Sequence, residues 1–157
     1  MVHVDAAKGM VAQAKENAAL CGLQNAPIRY IVDDCKKFVE REIRRGNHYD
    51  GIIMDPPSYG RGPGGEVWKL EDSIDGLISL TAQLLSDEPL FFLVNSYTTG
   101  LSPLTMQYIL ELRVAARFGG AVTAGELGLH ISQTGGVLPC GASARWTASG
   151  STKKAKS

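Results

Sequence analysis

Four times along the chain a short apolar, β-branched run gives way to a helix-spaced pattern, and this alternation constrains the fold more than any other feature. Met1–Asp5 reads as a strand ending on an acid, followed by an amphipathic helix over 6–20 that includes Met10, Val11 and Leu20 and closes at Gly22. Ile28–Val32 is a second strand, ending at Asp33-Asp34, and the charged segment 36–45 is a surface helix whose inward face is Phe38, Val39 and Ile43. Tyr49–Met54 runs as a compact apolar strand into Asp55-Pro56-Pro57, and the spacing predicts a helix over 70–85. Leu90–Val94 is the fourth strand, and a helix over 103–116 takes Pro103 in its first turn. Two further strands, 121–131 and 137–146, have no helix between them and read as an antiparallel hairpin at a sheet edge.

The pattern predicts an α/β, Rossmann-like, doubly wound and mostly parallel sheet with helices on both faces and an antiparallel C-terminal hairpin. The glycine- and proline-rich stretch 58–66 is expected to be an irregular loop, and the polar tail 149–157 a disordered end to a domain spanning 1–148. An apolar content of 44% suffices for a core, while 16 basic against 16 acidic residues give no global field pointing to nucleic acid or membrane. Cys21, Cys35 and Cys140 form no CxxC pair and have no histidine at ligand spacing. A disulfide framework and a structural zinc are therefore not expected, and a reducing cytoplasm is. No run of about 18 apolar residues predicts a membrane span, and the N-terminus lacks the pattern of a signal peptide.

The strand ends carry the chemistry. In an open α/β sheet, ligands bind beyond the carboxyl ends of the strands. Asp5, Asp34 and Asp55 sit at three such ends, 29 and 21 residues apart, one strand–helix unit each time. A carboxylate offers two acceptor oxygens, so Asp5 suits the paired hydroxyls of a ribose. Asp34 suits an exocyclic amine such as that of adenine, with the Cys35 N–H facing a ring nitrogen. The competing reading is that each aspartate simply caps the helix after it.

Asp55-Pro56-Pro57-Ser58-Tyr59 is the most specific signal in the chain. Consecutive prolines fix φ and remove two N–H donors, giving a stiff exit from the strand whose carbonyls are expected to stay free for an amine-bearing substrate. Tyr59 suits stacking on a flat ring, although a plain turn is the alternative. Together with His3-Val4-Asp5-Ala6-Ala7-Lys8-Gly9-Met10 and Tyr49-Asp50-Gly51-Ile52-Ile53, the loop resembles class I S-adenosylmethionine (SAM)-dependent methyltransferases. Within these it resembles the bacterial large-subunit ribosomal RNA methyltransferases that include the 5-methylcytosine and 7-methylguanine enzymes. The run from Tyr59 to Leu70 is similar to a subgroup with no settled substrate.

The resemblance covers roughly 2–147. It implies SAM as cofactor, held by Asp5, Ala6, Asp34, Cys35 and Asp55, and an RNA base as substrate, bordered at the methyl-transfer site by Asp55, Pro56, Pro57 and Tyr59. It also implies that a further strand and a glycine-rich turn precede Met1, so that the domain is expected to be N-terminally truncated and this chain alone inactive. Ser58 stands where cytosine-C5 enzymes often carry a nucleophilic cysteine, which weakens a covalent cytosine mechanism.

Other candidates have plainer readings. Cys140 suits addition to a pyrimidine ring, but a small buried hydrophobe is the ordinary role of a free cysteine. Arg61, Lys69, Arg145, Lys153 and Lys154 suit phosphates, but a solvated surface is their ordinary role. Trp68 suits base stacking or packing of its loop. His3, His48 and His130 have no ligand partner, and Glu66 and Glu71 favour the start of a helix. Three rival functions remain on sequence: a Rossmann-type dehydrogenase, which leaves Asp-Pro-Pro without a role; a non-catalytic remnant; and a methyltransferase acting on protein or a small molecule.

Overall fold

The computed structural model describes residues 1–61, 65, 67–98 and 100–150. Glu66, Lys153 and Lys154, and the tail beyond Gly150, lie outside the described residues. The chain divides into a first unit, Met1–Asn47, and a second that begins at His48.

In the first unit β1 (Val2–Asp5) pairs in parallel with β2 (Arg29–Val32), with Val2 opposite Arg29 and Asp5 opposite Val32. Because the two strands are parallel and in step, their acidic ends emerge at the same level. Helix α1 (Lys8–Leu20) connects them and α2 (Cys35–Arg44) follows β2. The expected apolar stripe of α1 is thin. Only Val11 is buried, while Met10 and Leu20 are 53% and 86% exposed, because the alanines that fill the helix give it little apolar area to bury. On α2, Phe38 and Val39 are buried as expected, but Glu42 joins them at 1% exposure, with Ile43 only half-buried. The Glu42 carboxylate is held there by Arg45 Nη1 at 3.0 Å and Asn47 Nδ2 at 2.8 Å, partners that offset its desolvation.

In the second unit a four-stranded sheet has the order β3 (Gly51–Met54), β6 (Phe91–Ser96), β8 (Val137–Thr147), β7 (Ala121–His130). β3 and β6 are parallel, whereas β8 runs antiparallel to both β6 and β7, so the C-terminal hairpin lies at the sheet edge as the sequence predicts. The residues of β6 alternate between buried and half-buried, with Phe92, Val94 and Ser96 turned inward. Facing them are Leu70, Ile74 and Ile78 of α3 (Leu70–Thr81) and Met106 and Leu110 of α4 (Pro103–Leu110), in one core closed by the fully buried Trp146. Ser102 caps α4 by accepting from the Thr105 N–H at 3.2 Å, with Pro103 in the first turn. A π-type turn over Glu111–Ala115 then carries the chain to the short α5 (Ala116–Phe118). Among the described residues no helix is long and apolar enough to cross a membrane.

One expectation is corrected. The stretch after Asp-Pro-Pro is not wholly irregular: β4 (Tyr59–Arg61) and β5 (Val67–Lys69) form an antiparallel ribbon with Tyr59 opposite Lys69. Glycine and proline density suggested a loop, but the alternating triplets on either side pair, and Trp68 packs against the core of the unit to hold them.

Candidate functional site

At the strand ends of the first unit, Asp5 leaves β1 and its Oδ1 accepts the Ala7 N–H at 2.7 Å. Ala7, not Asp5, stands at the N-cap of α1, so the capping role that competed for Asp5 is not the one it plays. Its second oxygen carries no bond to a described residue. Asp34 does cap its helix: Oδ1 accepts the Lys37 N–H at 2.9 Å, again leaving the other oxygen open. Next to it, the Cys35 thiol reaches the Val4 carbonyl at 3.6 Å, tying the start of α2 to β1. Desolvation first, then the Asp5 and Asp34 carboxylates, push the Cys35 thiol above its ordinary pKa, so it stays protonated and is no nucleophile. The Cys35–Val4 contact and the β1–β2 register, with Asp5 opposite Val32, bring Asp5, Asp34 and Cys35 to one rim, with Ala6 between Asp5 and the helix. Asp33 is turned away into an ion pair with Arg41.

In the second unit Asp55 leaves β3, where Met54 is opposite Val94, so it emerges beside the end of β6. Asp55 is exposed as a residue, and partial desolvation of its carboxyl raises its pKa from the ordinary carboxylate value. Of the two proline carbonyls expected to stay free after it, that of Pro57 is taken, and the next carbonyl along is bonded as well. The Pro57 carbonyl accepts the Trp68 indole N–H at 2.7 Å, and the Ser58 carbonyl accepts the Leu70 N–H at 3.1 Å. Trp68 therefore anchors the loop. Tyr59 is 52% exposed, and its hydroxyl accepts from Arg61 Nε at 3.0 Å. Among the described residues no group of three or more His, Cys, Asp or Glu is placed to hold a metal.

Residues that the sequence did not single out gather near Asp55, at the end of β6. Ser96 is buried and its Oγ accepts the Thr98 N–H at 3.1 Å; Tyr97, Thr98 and Glu126 line a pocket with Cys140. These positions come from three separated segments, and no local motif marks them.

The carboxylates on the first rim fit the adenosine part of SAM. Two open oxygens suit hydroxyl and amine donors, and the N–H groups at the start of α2 suit a ring nitrogen. The methionine part has no such cradle among these residues.

No family model and no curated protein matches the chain. Solved structures do. A SAM-dependent methyltransferase from Agrobacterium tumefaciens is 38% identical, with a TM-score of 0.83 over 94% of this chain and 49% of its own. The SMU.776 methyltransferase, solved in complex with S-adenosylhomocysteine (SAH), is 19% identical with a TM-score of 0.67, over 93% and 38% of the two chains. A structure from Streptococcus mutans described as a SAM-dependent methyltransferase is 20% identical, with a TM-score of 0.64 over 92% and 38%. The chain thus has the α/β fold of class I SAM-dependent methyltransferases, and it spans about half the length of the Agrobacterium protein.

Proposed function

We propose that this chain is the catalytic part of a cytoplasmic SAM-dependent methyltransferase that methylates a base of RNA, with ribosomal RNA the foremost candidate. The observation that carries the methyltransferase half is the pair of strand-end carboxylates, Asp5 and Asp34, each holding its backbone with one oxygen and presenting the other. They stand within a chain 38% identical over nearly its whole length to a SAM-dependent methyltransferase. The RNA half rests on the sequence resemblance of the Asp55–Tyr59 loop to ribosomal RNA methyltransferases.

On this reading Asp5 accepts from the ribose hydroxyls, Asp34 from the adenine amine, and the Cys35 N–H meets the ring. When bound, the cofactor supplies a methyl group already activated on a sulfonium. The work left to the protein is positioning and exclusion of water. Asp55 and the Pro56 carbonyl border the transfer point, and Tyr59 presents an exposed ring beside it. A nitrogen acceptor needs orientation there more than a strong base, which an acceptor carboxylate and a backbone carbonyl can supply.

The test is transfer of labelled methyl from SAM into cell extract separated into RNA, protein and small-molecule fractions, using this chain and a version extended at its N-terminus. Label in RNA supports the reading; label confined to protein or small molecules contradicts its substrate half.

A further inference from the structure

Beyond β6 the second unit carries a shallow, solvent-open pocket of about 470 Å³. Tyr97, Thr98, Leu101, Ser102, Glu126 and Cys140 line it. Four observations define what it would hold.

First, the Tyr97 ring is 54% exposed, and its position depends on Gly141. A Cβ at Gly141 would lie 2.7 Å from Tyr97 Cδ1 and 2.6 Å from the Ser96 carbonyl, so only glycine lets β8 pass this close behind the ring. Second, the register of β7 and β8 slips between Leu127 and Gly128, leaving Cys140 as the extra residue of a bulge that widens the strand end facing the pocket. Third, the Thr98 hydroxyl is shielded from solvent and has no hydrogen-bond partner among the described residues, a state that a bound polar group would relieve. Fourth, the charge is one-sided: the exposed Glu126 brings a carboxylate in no ion pair of the described residues, and none of the described residues that line the space is a lysine or arginine. A phosphate would be repelled there, whereas an N–H donor would be drawn in.

We propose that this pocket recognises the acceptor, taking a flat nitrogen heterocycle that bears an amino group, with the ring against Tyr97 and the amino group on Glu126. The proposal rests on the methyltransferase reading for the word acceptor, since Asp55 leaves the neighbouring strand. The pocket lies wholly within the second unit and its ligand preference can be measured without the cofactor. A base within RNA and a free heterocycle share this chemistry.

The experiment is saturation-transfer NMR of the chain with cytidine and with uridine, which carry an amino group and a carbonyl at the same ring position. Cytidine is expected to bind at least about tenfold more tightly, the size of one charge-assisted hydrogen bond. Glu126→Gln should abolish the preference, and Tyr97→Ala should weaken both nucleosides. Circular dichroism of each variant checks that it is folded. Tighter binding of oligocytidylate than of cytidine assigns the source to a polynucleotide, and equal or weaker binding to a small molecule. Equal binding of cytidine and uridine, no binding of either, or a preference that survives Glu126→Gln overturns the proposal. A cytidine preference in a chain that fails to bind SAH leaves the pocket standing and removes the cofactor reading instead.

Discussion

The indole N–H of Trp68 donates to the Pro57 carbonyl at 2.7 Å, so the stiff exit from β3 is tied back by a side chain eleven residues further on. Trp68→Phe keeps the ring and removes the donor. The expected loss of stability is about 1 kcal/mol, the net value of one hydrogen bond whose freed carbonyl can still reach water. Urea denaturation measures it. Methyl transfer should fall as well, because Asp55 and Tyr59 flank the tethered segment; a variant less stable but fully active would detach the tether from the site.

Asp34 does two jobs with two oxygens, and they can be separated. Asp34→Ala removes the cap on α2 and should cost about 1 kcal/mol. Asp34→Asn keeps the cap, since its single carbonyl oxygen can accept from Lys37 N–H, but it then turns an amide N–H₂ toward the adenine amine. The asparagine variant should therefore melt close to the parent while its affinity for SAH falls about tenfold. Thermal melting and calorimetry on the same samples check both halves.

Asp55 should show stability traded for function. Partial desolvation of its carboxyl raises its folded pKa above the ordinary value of about 3.9. Its contribution to stability is thus fully present below the ordinary carboxylate pKa and is lost as pH rises through the raised folded one. At neutral pH the ionised carboxylate is a net cost that Asp55→Asn removes. The variant should be at least as stable as the parent at pH 7, with the difference closing in acid, while methyl transfer drops. Denaturation midpoints across pH 3–8 check the sign.

Gly120 sits at the entry to β7 with φ of +85°, and a Cβ there would lie 2.3 Å from the Thr147 carbonyl and 2.8 Å from the Trp146 indole nitrogen. That indole is fully buried and donates to the Gly119 carbonyl at 2.7 Å. Gly120→Ala combines left-handed backbone strain with overpacking and should destabilise by about 1–3 kcal/mol. The melting temperature should fall and the Trp146 fluorescence should shift as its partner moves.

The sequence is most readable where chemistry is local. Strand β1, the Asp34 cap and the Pro103 start of α4 each follow from a few adjacent residues, and so does the placing of Asp5, Asp34 and Asp55 at strand ends. The β4–β5 ribbon was not readable, because its pairing joins Tyr59 to Lys69 across a stretch whose glycines and prolines signal a loop. Glu42 was hidden for another reason: a carboxylate at a helical position reads as solvated until Arg45 and Asn47 are seen to hold it. The pocket beyond β6 lay furthest out of reach, since Tyr97, Glu126 and Cys140 meet only through the register of β6, β7 and β8.

The central claim is that Asp5 and Asp34 hold the adenosine part of SAM. Calorimetric titration of SAH into this chain and into Asp5→Ala tests it most directly. The account predicts measurable binding by the parent chain, weakened at least about tenfold in the variant by loss of the ribose acceptor. Binding of equal strength in both would contradict the assignment of Asp5. No binding to either the chain or its N-terminally extended version would contradict the cofactor site itself.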